Sequence, residues 1–245
     1  MSKIKVSVVS YLNSKVFLKG LVPEANNDFE ISLDIPSQCA FKLSNNIVDI
    51  GLIPVAVLPE IKSGSIISNY CISADGAVNS VFLFSNSPVQ QINKIYLDMH
   101  SRTSNALCKI LATEYWNIKA EFVEMNTDFK ALNEHEAFVQ IGDRTFSNIG
   151  IYKTQLDLAA HWKAYTGLPF VFAVWVTNKE LNKTIIDNFN TYLANGFNHL
   201  DTVIHENKIS NFDVDDYLRN KIKYNLDEHK REGLNLYLRK LNLYR

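Results

Sequence analysis

Apolar positions along the chain alternate between a period of two and a helical period, in a repeating order. "IKVSVVSYL" is a β-branched run that stops at Asn13-Ser14 and passes into "KVFLKGLV" at helical spacing, which Pro23 is expected to end. "FEISLDI" alternates at period two as far as Pro36-Ser37, "SQCAFKLSNN" has the spacing of a short helix, and "VDIGLIPVAVL" is a third, almost wholly apolar strand. This βαβαβ order predicts a parallel sheet with helices on its faces. Residues 65 to 85 predict two strands around an Asp75-Gly76 turn, and the polar "NSPVQQIN" behind them predicts a boundary between lobes.

The order then restarts. "KIYLDM" predicts a strand and "SRTSNALCKILATEYW" a helix whose buried stripe is Ala106, Leu107, Ile110 and Leu111. "KAEFVEMN" predicts a strand, "DFKALNEHE" a short helix and "AFVQIGD" another strand. "YKTQLDLAAHWKAYTG" predicts a helix broken at Gly167 and Pro169, and "LPFVFAVWV" a buried strand that returns to the first lobe. Beyond it Ile185, Phe189, Tyr192, Leu193, Leu200 and Ile204 share a helical face, and Asn225 with Glu228 predicts a capping box for a last helix. The expected architecture is α/β and two-lobed, with residues 1–86 and 175–245 in one lobe and 87–174 in the other. A chain that crosses once and returns has the topology of a type II periplasmic-binding-protein-like fold, whose active or binding site is expected in the inter-lobe cleft, at the carboxyl ends of the strands.

Composition narrows the function. With 47% apolar residues in 245, a sizeable core is assured. Twenty-five basic residues against 26 acidic, with no basic run beyond "KREG" or "LRKL", predict no nucleic-acid partner. "LPFVFAVWV" falls short of the roughly 20 residues that cross a bilayer, so no membrane association is expected. The N-terminal run is interrupted by Lys5, Ser7 and Ser10 and no small-residue cleavage site follows, so a cytoplasmic location is expected. Cys39, Cys71 and Cys108 are odd in number and lack C-x-x-C spacing, which predicts reduced, buried thiols. The six histidines include no pair at i, i+3 or i, i+4, so no metal site is expected.

Chemistry is sought at the strand ends, where Asn13-Ser14, Asn79-Ser80, Ser101 to Asn105 and Gly142-Asp143 present small polar groups. Ser, Thr and Asn are also ordinary helix caps, and Gly-Asp an ordinary turn. A capping box, however, needs Glu or Gln three residues after the capping hydroxyl, and Ser101, Thr103 and Ser104 are followed at that spacing by Ser104, Ala106 and Leu107. A helix start with three hydroxyls and no acidic side chain suits a carboxylate or phosphate, with Arg102 either adding its charge or pointing to solvent.

On these residues the chain resembles the chorismate dehydratase family. The resemblance is carried by "YLNSKVF", "DIGLIPVA", "ISADGAVNSVFLFS", "SRTSNALCKIL", "IGDRTF", "DLAAHWKAYTGLPFVFAVW" and "YNLDEHKREGLNLY", which together span nearly the whole sequence. One departure is visible: family members commonly carry Pro where Val16 stands, at the expected start of the first helix, where Pro is favoured for its fixed φ. The resemblance implies conversion of chorismate to 3-[(1-carboxyvinyl)oxy]benzoate and water in menaquinone biosynthesis by the futalosine route. It implies that Asn13 and Ser80 contact the substrate near the reacting centre, with Ser14 beside them, that Ser101, Thr103 and Ser104 hold a carboxylate, and that Gly142 and Asp143 line the cleft. Loss of water makes the substrate ring aromatic, so oriented hydrogen-bond donors can promote the reaction with no metal or organic cofactor. The proton acceptor is either Asp143 or a carboxylate of the substrate itself. No obligate protein partner is implied. The 1,4-dihydroxy-6-naphthoate synthases of the same pathway resemble the chain around "IGD" but carry a basic His where Gly142 stands. A non-catalytic small-anion binding protein of the same fold is the alternative from a different class.

Overall fold

The computed structural model describes residues 3–125 and 132–244, together with the backbone but not the side chains of residues 23–27. The chain begins with β1 (Ile4–Val9), α1 (Lys15–Asp28), β2 (Phe29–Asp34), α2 (Pro36–Ser44), β3 (Ile50–Pro54) and β4 (Ser65–Ala74). It continues through β5 (Val81–Ser85), β6 (Lys94–Leu97), α3 (Arg102–Ile110), β7 (Glu121–Glu124), β8 (Glu136–Ile141), β9 (Thr154–Asp157) and α4 (Leu158–Thr166). Then follow β10 (Phe170–Thr177), α5 (Lys183–Gly196), α6 (Leu200–Glu206), α7 (Val214–Asp216), β11 (Lys223–Asn225) and α8 (Glu228–Leu241). Two compact units result, one of Met1–Ser73 with Val171–Asp227, the other of Ala74–Phe170 with Glu228–Arg245.

The first unit holds a six-stranded sheet in the order β11-β4-β10-β3-β1-β2. β1 runs parallel to β2 and to β3, as the βαβαβ pattern requires, and β10 returns antiparallel to β3 with Val174 opposite Ile53. Phe17 of α1 is fully buried and meets Trp175 and Tyr224 edge-on, at ring centroid distances of 5.7 and 5.4 Å. Such crossed arrangements suit the ring quadrupoles and add to the area buried. α1 and α5 touch backbone to backbone, because a Cβ on Gly20 would stand 1.9 Å from the Tyr192 carbonyl and one on Gly196 2.0 Å from the Val16 carbonyl. α1 also runs on through Pro23 instead of ending there, since a proline forfeits one helical hydrogen bond and strains the preceding turn without forbidding either.

The second unit holds a five-stranded sheet, β7-β6-β8-β5-β9. β6 runs parallel to β7 and β8, and β5 antiparallel to β8 and β9. This corrects the expected lobe boundaries at 86 and 174. The Asp75-Gly76 turn joins strands of different sheets, and β5 belongs to the second. The C-terminal helix also leaves the expected lobe: Tyr237 of α8 packs on Phe170 and Trp162 at 5.0 and 6.2 Å, and Lys240 pairs with Glu114. α8 starts at Glu228, whereas Asn225 lies in β11 opposite Tyr70, so Asn225 is not its cap. Of the short helix expected over 128–136, residues 128–131 lie outside the described residues, Glu134 and His135 form a turn, and Glu136 opens β8.

All three cysteines are buried and unbonded, and burial pushes the thiols of Cys39 and Cys108 up to about 12. Among the described residues no helix is long and apolar enough to cross a membrane.

Candidate active site

In the second unit the C-terminal ends of β6 and β8 lie beside the start of β5, because β6 is parallel and β5 antiparallel to β8. Asp98, 2% exposed, fastens these ends together. Its carboxylate accepts from the backbone N–H of His100 at 2.8 Å and of Ile141 at 3.0 Å, and from the Arg144 guanidinium at 2.8 and 2.6 Å. Asn105 is turned back onto the same strand end: its side-chain oxygen accepts from the Asp98 N–H at 3.0 Å and its amide donates to the Asp98 carbonyl at 2.8 Å. It is therefore a fastening for the loop.

Ser101 is the N-cap of α3, its hydroxyl accepting from the Ser104 N–H at 3.0 Å and lying 3.0 Å from the Ser104 hydroxyl. The helix start is thus capped from within by Ser101. The first turn nevertheless holds no acidic residue, so the positive end of the helix keeps its field. Thr103 and Ser104 are buried, Arg102 is exposed, and the Thr103 carbonyl accepts from the Tyr237 hydroxyl at 3.0 Å.

Ser80 is buried directly before β5, and its carbonyl accepts from the Gly142 N–H at 2.8 Å. Gly142 has φ +66°, a left-handed conformation that costs glycine nothing, and it turns β8 into the short 3-10 turn that carries half-buried Asp143. The approach to β5 is held by Asp157, which accepts from the N–H groups of Val78 (2.9 Å), Asn79 (2.7 Å) and Ala160 (3.0 Å) and caps α4. Burial pushes its carboxyl up against those bonds, which pull it down. With both oxygens engaged, Asp157 is a structural clamp. One edge of this sheet therefore gathers Ser80, Ser101, Thr103, Ser104, Gly142 and Asp143.

The first unit presents a sparser edge. After β1 a 3-10 turn, Leu12–Ser14, carries Asn13 half-buried between two buried neighbours. Ser14 is fully buried and its hydroxyl donates to the Val9 carbonyl at 2.7 Å, so it closes the turn instead of facing a ligand as expected. The Asn13 amide donates to the Tyr217 hydroxyl at 3.2 Å. Asp98, Arg144 and Tyr217 were not expected from the sequence. Arg144 lies inside "IGDRTF" and Asp98 immediately before the hydroxyl run, so their motifs pointed to them, but nothing in "DVDDYLRN" distinguishes Tyr217.

Comparison with known proteins agrees with this architecture. The chain superposes on protein AF1704 from Archaeoglobus fulgidus with a TM-score of 0.78 at 16% identity, covering 99% of this chain and 97% of that one. A Candida albicans gene product described as having the generic periplasmic-binding-protein fold matches with a TM-score of 0.66 at 14% identity, over 99% and 91%. The alkanesulfonate-binding protein SsuA from Xanthomonas axonopodis pv. citri, bound to MOPS, matches at 0.64 and 10% identity, over 100% and 92%. At these identities the likeness shows the fold, a two-lobed α/β periplasmic-binding-protein-like one. A family described as menaquinone biosynthesis matches residues 4–242, almost the full length, and the chain belongs to that menaquinone-biosynthesis family.

Proposed function

We propose that the protein is a cytoplasmic hydro-lyase that dehydrates chorismate to 3-[(1-carboxyvinyl)oxy]benzoate. Membership of a menaquinone-biosynthesis family supports a role in that pathway. The observation that carries the specific reaction is the gathering of Ser80, Ser101, Thr103, Ser104 and Gly142 at one sheet edge, on the motifs by which the chain resembles the chorismate dehydratases. In the reaction a ring C–H bond breaks, its electron pair completes the aromatic ring, and the ring hydroxyl departs, leaving as water with the proton. Asn13 and Ser80 act near the reacting centre, while Ser101, Thr103, Ser104 and the adjoining amides hold a substrate carboxylate at the positive end of α3, with Arg102 adding charge. Ser14 fixes the turn that presents Asn13. A substrate carboxylate takes the ring proton, with Asp143 the protein's own candidate for that task.

A second reading, non-catalytic anion binding, is favoured by the fold shared with a binding protein that holds MOPS. Gly142 stands where the naphthoate synthases carry their basic His, and glycine accepts no proton, which disfavours that activity. Incubation with chorismate separates the readings. A dehydratase removes the diene absorbance and yields a product lighter by one water, and an unchanged chromophore would exclude it.

A further inference from the structure

Asn13 owes its orientation to a residue from the far end of the first unit. Tyr217 is 1% exposed, and its hydroxyl accepts the Asn13 amide 204 positions away in sequence. Its backbone is fixed on both sides. The Tyr217 N–H donates to the Asp213 carbonyl at 3.0 Å, and the Tyr217 carbonyl accepts from the Ile222 N–H at 3.0 Å, the i to i+5 bond of a π-helical turn. The Asp213 carboxylate caps the turn through the Asp216 N–H at 2.9 Å, and Phe212 packs edge-on against the Tyr217 ring at 5.3 Å. Single π-turns recur at functional sites because they re-aim one side chain at the cost of regular hydrogen bonding.

Close by, Tyr224 is 9% exposed, its ring wedged against Phe17 and Phe197, and its hydroxyl meets no hydrogen-bond partner among the described residues. Burial, and after it the neighbouring Tyr217, push the Tyr224 hydroxyl well above its ordinary value, so it stays a neutral O–H donor. A buried hydroxyl without a partner costs stability.

Resting on the dehydratase reading, we propose that Tyr217 is a positioning residue that fixes the Asn13 carboxamide for the reaction. Held by the Tyr217 hydroxyl on one side and approached by the Ser14 hydroxyl at 3.3 Å on the other, the carboxamide keeps one plane and need not be ordered anew in each turnover.

The test is a double-substitution cycle on chorismate turnover, with product accumulated over hours so that slow variants stay measurable. Tyr217→Phe lowers kcat about tenfold with KM within about twofold, and this loss vanishes when Asn13 is already Ala, because Tyr217 acts through Asn13. Tyr224→Phe loses no hydrogen bond and is the structural control, with a raised melting temperature and kcat within about twofold, whereas Phe212→Leu loosens the ring packed on Tyr217 and lowers kcat by a smaller factor than Tyr217→Phe. Phe212→Leu takes the place of Tyr217→Phe in the cycle should the latter fail to fold. Wild-type kcat in folded Tyr217→Phe or Phe212→Leu, or losses that add to that of Asn13→Ala, would overturn the assignment and leave the dehydratase intact. No chorismate turnover by the wild-type protein would remove both.

Discussion

The strand-end hydroxyls Ser101 and Ser104 of the second unit are neighbours in sequence as well as in space, whereas Asn13 of the first unit and the tyrosine that holds it are 204 positions apart. Ser101 and Ser104 share one helical turn, and Ser80 meets Gly142 because β5 and β8 pair directly. Asn13, by contrast, is set by Tyr217 from the opposite end of its unit. Under the proposed function, the local arrangement uses Ser101 twice, once to cap α3 and once to hold a carboxylate. An edge assembled over long range can divide these tasks, with Ser14 closing the turn, Tyr217 holding the amide and Asn13 left for chemistry. Substitutions in the second unit therefore mix stability with affinity, and those in the first separate stability from turnover.

The largest stability effect falls on the second edge. Asp98→Ala leaves the Arg144 guanidinium and two backbone N–H groups without their acceptor. Removing one partner of a buried pair costs about 3–5 kcal/mol. Because Arg144 is 30% exposed and can rehydrate, about 3 kcal/mol is expected in urea denaturation. A change below about 1 kcal/mol would mean that Asp98 does not fasten the strand ends. Next, Ser101→Ala loses the N-cap of α3, worth about 1 kcal/mol, and raises KM for chorismate by a larger factor than that destabilisation explains. A stability loss with unchanged KM would return the hydroxyl to capping alone. Asp143→Asn should leave kcat within about twofold if a substrate carboxylate takes the proton, and a loss above about a hundredfold would make Asp143 the base.

The smallest effect is a control at Glu114, in the turn that follows α3, at the opposite end of the helix from Ser101. Burial pushes the Glu114 carboxyl up, but hydrogen bonds from Lys240, Tyr165 and Tyr244 outweigh it and hold the group below its ordinary value of 4.5. A depressed carboxyl contributes stability that is present above pH 4.5 and is lost as the pH falls through the folded-state value. Glu114→Gln should flatten the acid limb of the stability curve and leave kcat unchanged. An unaltered acid limb would remove this anchor of α8.

The same contrast between local and distant contacts explains what the sequence disclosed. Apolar runs and period-two alternation disclosed β1, β2, β3, β6, β8 and β10, because a strand buried on both faces must be apolar nearly throughout. β9 stayed hidden in "TQLD", an edge strand with three polar residues in four and only Asp157 buried, inside a stretch expected to be helical. β4 and β5 were legible as two strands around the Asp75-Gly76 turn, but not that this turn joins two sheets, since consecutive strands usually pair. At the site, residue types marked the strand-end hydroxyls, but side-chain direction did not follow from type. Ser14 and Asn105 satisfy backbone groups of their own turns, while Ser101, of the same chemistry, caps a helix. Asp98 stood in plain view after its strand as one more short polar residue, and its role depends on Ile141 and Arg144, more than 40 positions away.

The proposed dehydration assigns chemistry to Asn13 in one unit and to Ser80 in the other. Initial rates of chorismate diene loss, measured for the wild-type protein, Asn13→Ala and Ser80→Ala at saturating substrate, test it most directly. Each substitution should lower kcat by about a hundredfold or more while the variants keep their cooperative unfolding transitions. Wild-type kcat in either folded variant would show that its edge takes no part in the chemistry and would contradict the account.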